Sequence, residues 1–184
     1  NAGANLEARS KVRSRLMYAE SSNGAAFDQG VVEQLGGFSP LLFAAAQGNV
    51  EIGQLLISVG VNINGTAANG ASPLVVATHS GHPDFARLLL EAGADPDAIG
   101  AGYNALHAAV LRGDLETVEE LLVNGADPEV RLKRATPVQR ASEDWARKSP
   151  LISATPYRLA ASYRAAKIMP APEQGGANTL LTNE

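Results

Sequence analysis

Apolar residues in the middle of the chain recur with the spacing of short amphipathic helices. Ile52, Leu55 and Leu56 stand at positions i, i+3 and i+4, which places them on one face of a helix. A shorter segment before them centres on Ala44 and Ala45, whose small side chains allow neighbouring helices to approach closely. The pattern therefore predicts a pair of short helices joined by a tight turn. The second helix of this pair recurs twice, with Phe85, Leu88 and Leu89 and then with Val118, Leu121 and Leu122.

Capping residues mark the ends of these predicted helices. Ser39, Ser72 and Asn104 precede the first helix of each pair, and their side-chain oxygens can accept a hydrogen bond from an N–H of the first turn. Pro40 and Pro73 follow at the first helical position, where a missing N–H costs nothing. Glycines suited to a left-handed backbone are predicted to end both helices of every pair. They are Gly48, Gly81 and Gly113 after the first helix, and Gly60, Gly93 and Gly125 after the second.

The helix pairs form an internal repeat with a period of about 33 residues. Gly60-Val61-Asn62, Gly93-Ala94-Asp95 and Gly125-Ala126-Asp127 recur in register with it. The stretches 105–109, Ala-Leu-His-Ala-Ala, and 121–128, Leu-Leu-Val-Asn-Gly-Ala-Asp-Pro, closely resemble the ankyrin repeat. This resemblance implies an all-α fold, a helical solenoid in which successive helix pairs stack with hairpin-like turns between them.

Two insertions interrupt the repeat, and both fall in the turns between helix pairs. The cap at Thr155 opens a degenerate last repeat, in which Pro170 and Pro172 predict a short or broken second helix. Since the chain begins and ends within repeats, we expect a longer array or a partner that covers the ends. The predicted divisions are 1–8, the tail of a preceding repeat; 9–36, an insertion; 37–66, 67–98 and 99–130, three repeats; 131–154, an insertion; 155–178, the degenerate repeat; and 179–184, the start of the next.

Composition and charge narrow the possible functions. The absence of cysteine excludes disulfides, thiol nucleophiles and cysteine-ligated metals. No apolar run is long enough to span a membrane. The net charge of −4 argues against a general nucleic-acid binder, but it hides a net −10 over residues 31–130 and a net +7 over 131–167. An acidic body followed by a basic segment indicates a patchy interaction surface.

Three histidines are the main candidates for chemistry. His79 and His82 have the H-x-x-H spacing of two metal ligands, which leaves a metal-dependent hydrolase as an alternative function. We favour structural roles, because His82 follows the turn glycine Gly81 and His107 occupies a structural position in the repeats that this chain resembles. No catalytic, metal-binding or cofactor-binding residue is assigned, and we expect no cofactor and no small-molecule substrate.

The resemblance implies that the chain binds proteins through its turn tips and the exposed side of its first helices. Both insertions are basic, and the second holds the only tryptophan, so they are either solvated loops or a docking surface. A less favoured hypothesis is that the basic insertions anchor the chain to anionic lipid or to RNA. The predicted partner-binding residues are Phe38, Asn69 and Tyr103 at the turns; Gln47, His79, Leu111, Arg112 and Tyr163 on first helices; and Arg131, Lys133, Arg134, Trp145, Arg147 and Lys148 in the second insertion.

The sequence therefore predicts a non-catalytic interaction scaffold or an accessory subunit of a larger complex. Its partner is expected to be a protein. The long turn insertions are similar to those of bacterial ankyrin arrays, some of which are exported. This similarity favours a bacterial periplasmic protein, with the cytoplasm as the alternative.

Overall fold

The computed structural model describes residues 3–18, 30–133, 137–139, 145–147 and 153–162. The second helix expected for the degenerate repeat, with Pro170 and Pro172, lies outside this part. The elements in order are β1 Arg13–Tyr18, β2 Gly30–Leu35, α1 Pro40–Gln47, α2 Val50–Ser58, α3 Pro73–Ser80, α4 Pro83–Glu91, α5 Ala105–Arg112, α6 Leu115–Val123, β3 Pro137–Gln139, β4 Trp145–Arg147 and α7 Pro156–Ser162.

The helices form two stacked layers. The inner layer contains α1, α3, α5 and α7, each in contact with the next, and the outer layer contains α2, α4 and α6. α1, α3 and α5 each also pack against the outer helix of their own pair. This arrangement is the helical solenoid that the repeat predicted. No helix of the described part is long and apolar enough to cross a bilayer.

The predicted caps form as expected. The Ser39 hydroxyl accepts a hydrogen bond from the Leu42 N–H, and α1 ends at Gly48 with a φ of 66°. α2 ends at Ser58 with Val59 as its C-cap, and Gly60 stands one residue beyond the cap. The Gly60 N–H donates to the Ile57 carbonyl, and the Val61 N–H donates to the Leu56 carbonyl. Ser72 and Asn104 cap α3 and α5 in the same way, and Gly81 and Gly113 end them in the left-handed conformation.

The core is built from leucine and alanine with few aromatic rings. Leu41, Leu74 and Leu106 are at most 1% exposed, one in each of the first three inner helices. Ala45 and Ala77 are fully buried beside them, and their small side chains let successive inner helices lie close together.

The two insertions form antiparallel hairpins, to which the sequence assigned no strands. β1 pairs with β2 from Arg13 opposite Leu35 to Tyr18 opposite Gly30, and β3 pairs with β4. Because the turns between repeats are already hairpin-like, inserted residues can lengthen them into two paired antiparallel strands. At the base of the second hairpin, the Leu132 N–H donates to the Ala154 carbonyl. β1 also lies against β4, so the two hairpins approach one another.

Candidate partner-binding groove

A cavity of about 220 Å³ opens on the inner face of the solenoid, between the first hairpin and the inner helices. We call this cavity and its surround the inner groove. Its walls are mostly apolar, and its polar groups come from a few side chains. The lining residues are Arg15, Glu33, Leu35, Phe38, Ala46, Asn69, Ala71, Val75, Val76, His79, Ser80 and Tyr103.

The inner helices and the first hairpin bring these residues together. α3 supplies Val75 and Val76 to the floor, and the last turn of α1 supplies Ala46. The first hairpin forms one wall, on which Arg15 and Glu33 are direct cross-strand partners. The groove therefore exists because β1 and β2 of the first insertion pair with one another beside the inner helices.

The turn tips along the groove are held by backbone contacts. The Asn69 carboxamide oxygen accepts a hydrogen bond from the Ala71 N–H, and the Ala67 N–H donates to the Ala71 carbonyl. Gly70 has a φ of 85°, and a β-carbon there would collide with the Gly100 carbonyl. The turn that carries Gly70, here the second turn, thus stacks backbone on backbone against the third turn, which carries Gly100. This contact fixes that side of the groove before any partner binds.

The half-buried imidazole of His79 lines the groove. Its ring centroid lies 6.4 Å from that of Tyr103, which is itself only 6% exposed. Burial lowers the pKa of His79 below its ordinary value, and the nearby positive charge of Arg112 lowers it further. His79 is therefore uncharged at neutral pH, and the groove floor carries no histidine charge.

The H-x-x-H pair has two different environments. The His82 Nε2 lies 3.1 Å from the Ala46 carbonyl oxygen, to which it donates, and its ring packs over Gly48. His82 thus joins the first repeat to the second, whereas His79 faces Tyr103. Among the described residues, no three histidine or acidic side chains converge as metal ligands.

His107 is fully buried and links two repeats. Its backbone N–H donates to the Asn104 side chain, and its Nδ1 accepts from the Asn104 N–H at 3.4 Å. Its Nε2 lies 3.4 Å from the Ala154 carbonyl oxygen, beyond the second insertion. Burial lowers the pKa of His107 to about 4, against the opposing effect of hydrogen bonds to the carbonyls of Ala154 and Val130. A neutral His107 therefore fastens the start of α7 to α5.

Four of the predicted partner-binding residues line the inner groove together. They are Phe38, Asn69, His79 and Tyr103. The Phe38 ring also makes an edge contact with Phe43, with 5.4 Å between the ring centroids.

The other predicted partner-binding residues lie elsewhere or have another contact. The exposed Arg112 donates from its Nη1 to the His79 carbonyl at 3.0 Å, so its guanidinium helps to join two repeats. Gln47, Arg131 and Lys133 are exposed outside the lining, and Leu111 packs against the core. Trp145 and Arg147 belong to β4, but their side chains lie outside the described part. Arg134, Lys148 and Tyr163 lie outside the described residues altogether.

Arg9, from the basic cluster of the first insertion, contributes to the fold. Its Nη1 donates to the carbonyl of Thr66 at 2.7 Å and to that of Gly37 at 3.2 Å. The guanidinium thereby ties the base of the first hairpin to the turn before the second repeat. Of the basic residues in this insertion, Arg15 is the one that lines the groove.

The predicted set of partner-binding residues missed several members of the groove. Glu33 and Leu35 line it only because the insertion folds back as β2 in a fixed register, which no periodicity in the sequence indicates. Val75 and Val76 are buried residues of α3 whose surfaces reach the cavity, and nothing in the sequence pattern indicates that they do so.

Comparison with known families agrees with the repeat seen in the sequence. A family model described as ankyrin repeats (3 copies) matches two overlapping stretches, residues 14–100 and 41–132. Together they span more than half of the chain. None of the curated proteins compared with this chain matches it.

Proposed function

The chain belongs to the ankyrin-repeat family, and from that premise we propose that it acts as a non-catalytic scaffold or accessory subunit that binds a protein partner in the inner groove. Ankyrin repeats are generally protein–protein interaction modules and are typically non-catalytic. Specific binding by such a module depends on a preformed surface with a place for an anchoring side chain.

The observation that carries this proposal is the apolar cavity under the first hairpin. Its volume of about 220 Å³ lies below the roughly 300–1,000 Å³ of most small-molecule sites. The cavity is therefore sized for one bulky side chain of a partner. A buried anchor of this kind supplies much of the affinity at protein interfaces.

The chemistry of the lining favours an uncharged anchor. Val75, Val76 and Leu35 present apolar surface, and His79 is neutral at pH 7. The two charged residues of the lining, Arg15 and Glu33, are cross-strand partners of opposite sign and together offer no net countercharge. A charged anchor would therefore lose its hydration without compensation and would bind poorly. We infer that the anchor is an aromatic or branched aliphatic side chain, carried by an extended segment that runs along the turn tips.

The second insertion supplies a further contact in this proposal. Arg131 and Lys133 are exposed at its base. Since the helical body is acidic and this segment is basic, an acidic residue near the anchor would be drawn to the segment and repelled by the body. Trp145, Arg134, Arg147 and Lys148 belong to the same predicted docking segment, whereas Gln47, Leu111 and Tyr163 are proposed to extend the surface along the first helices.

The experiment is a selection of binding peptides followed by a block of the cavity. A displayed library of random peptides is selected on the wild-type chain, and the affinity of the recovered peptides is measured by titration. Ala46→Phe places a ring in the cavity from the half-buried end of α1. Gln54→Phe adds the same ring at an exposed position on α2 and serves as the matched control.

The proposal expects peptides that share one bulky apolar residue. Ala46→Phe should weaken their binding by about tenfold or more, whereas Gln54→Phe should leave it unchanged. Circular dichroism of both variants shows whether the fold is retained. Equal binding to folded Ala46→Phe and wild type would reject the groove as the binding site.

A further inference from the structure

The side of the first helix pair that faces away from the second pair exposes a stripe of large apolar side chains. Phe43 is 51% exposed, Ile52 48%, Leu55 64% and Val59 53%. Ile52 and Leu55 are spaced i and i+3 on one face of α2, and Val59 follows as the C-cap of this helix. α1 and α2 pack against α3 and α4, and this stripe is the part of the pair that those helices leave open. We call it the outer apolar face.

Two of these positions, those of Ile52 and Phe43, are buried in the later repeats. Ile52 is the third residue after the N-cap of α2, as Phe85 and Thr117 are in α4 and α6, and these two are 0% and 2% exposed. Phe43 corresponds in the same way to Val76 and Ala108, the fourth residues after their N-caps, which are 9% and 1% exposed. The ring of Phe85 is covered by Gly53 of the preceding outer helix. These positions are therefore the ones that each repeat buries against the helix pair before it.

A second, independent observation concerns the turn at residues 3–8. In each repeat the N–H of the Asn or Asp in the closing motif donates to a side-chain oxygen from the preceding closing turn. The acceptor is Glu7 for the first repeat, Asn64 for the second and Asp97 for the third. The three bonds run from Asn62 N to Glu7 Oε1 at 2.9 Å, from Asp95 N to Asn64 Oδ1 at 3.0 Å and from Asp127 N to Asp97 Oδ1 at 3.0 Å.

The backbone of this turn also matches that of a closing turn. Gly3 has a φ of 63°, as Gly60 has 81° and Gly93 has 86° at the ends of the second and fourth helices. Gly3-Ala4-Asn5 reproduces the closing motif. Residues 3–8 are thus docked on the first repeat in the way that a closing turn docks on the repeat after it.

We propose that the outer apolar face is the stacking surface for one more helix pair of the same repeat type, which leads into the turn at residues 3–8. The outer helix of that pair would bring a small residue, as at Gly53 or Ala86, against Ile52. Face-to-face contact between two copies of this chain would cover the apolar side chains but would leave the register of Glu7 and Gly3 without a role.

The test adds such a helix pair to the full chain. A copy of residues 72–92 replaces residues 1 and 2, so that it enters Gly3 as the natural segment enters Gly93. The matched control carries Glu in the copied position of Ala86, which the proposal places against Ile52. Urea unfolding and binding of a hydrophobic dye are measured for both fusions and for the unfused chain.

The fused chain is expected to unfold in one transition, with a higher urea midpoint and a steeper slope than the unfused chain. Dye binding should fall, and the control fusion should lose these gains. Ile52→Asp, a change at an exposed site of the unfused chain, should shift the midpoint little there but should abolish the gain in the fusion.

Other results would overturn the proposal. Separate unfolding of the added pair at its own lower urea midpoint would contradict it. An equal shift of the midpoint by Ile52→Asp with and without the fusion would contradict it as well. A dimer of the unfused chain that persists in the fusion and is lost with Ile52→Asp would identify a second copy as the occupant instead.

Discussion

The backbone of Gly53 and the ring of Phe85 fit one another across two repeats. A β-carbon on Gly53 would lie 2.6 Å from Cε2 of the Phe85 ring, so the glycine leaves the space that the ring fills. At the next interface the equivalent residues are Ala86 and Thr117, both buried. A smaller residue on one helix thus faces a larger one on the next, and the volumes balance at both interfaces.

The first prediction follows from this fit. Gly53→Ala should destabilise the chain by about 1–2 kcal/mol, because overpacking against Phe85 outweighs the gain of about 1 kcal/mol in helix propensity. Urea unfolding checks this.

Its control copies the neighbouring interface. Gly53→Ala together with Phe85→Val gives a pair of about the same size as Ala86 and Thr117, so the double variant should lose less stability than the two single variants added together. Strictly additive losses would show that the two residues do not share this space.

The second prediction concerns pH. In the folded chain the pKa of His107 is about 4, below the value of about 6.5 for an exposed histidine. As the pH falls below about 6.5, the unfolded chain takes up this proton and the folded chain does not, so stability falls until the pH approaches 4. The loss by pH 5 should be about 2 kcal/mol, and stability should not depend on this group above pH 7.

Urea midpoints measured between pH 7 and pH 5 test this, with His107→Gln as the comparison. The variant should be less stable at pH 7 but should vary less with pH across this window. His79, whose pKa is also lowered, contributes in the same direction and remains in both proteins. Equal pH dependence of the variant and the wild type would contradict the assignment of a buried, neutral His107.

The third prediction separates backbone strain from backbone contact. Gly60 and Gly70 have similar φ values, 81° and 85°, but only at Gly70 would an added β-carbon meet another turn. Gly60→Ala should cost about 1 kcal/mol, the penalty for a left-handed non-glycine residue. Gly70→Ala should cost clearly more, since the second turn would be pushed away from the third.

Thermal or urea unfolding of the two variants gives the comparison. Gly70→Ala should also weaken the binding of groove peptides, because the displaced turn carries Asn69 and Ala71. Equal losses of stability at the two glycines would mean that the stacking of the second and third turns contributes little.

The fourth prediction tests the basic insertion. Arg131→Glu with Lys133→Glu should weaken the binding of partners that carry acidic residues next to the anchor, and the loss should shrink at high salt. Glu119→Lys, at an exposed site on α6, should leave binding nearly unchanged. Binding of the wild type to anionic vesicles or to RNA that disappears in the double reversal would favour the lipid or RNA anchor instead.

The sequence predicted the helix pairs well because each is specified locally. Ser39 caps α1 through its own hydroxyl and Gly48 ends it through its own φ, so neither depends on distant residues. The inner groove is different. Leu35 and Glu33 reach it through the register of β1 with β2, and Val75 reaches it through a core helix, so the groove depends on contacts between segments that are far apart in sequence.

The most direct test of the partner-binding account is a double-mutant cycle across the cavity. The affinity of a selected peptide is measured with its bulky apolar residue intact or replaced by alanine, against the wild type and against Ala46→Phe. If that residue occupies the cavity, each change removes the same interaction. The loss of binding free energy with both changes should then be smaller than the sum of the two single losses by about 2 kcal/mol. Losses that add fully would place the anchor elsewhere and would contradict the account.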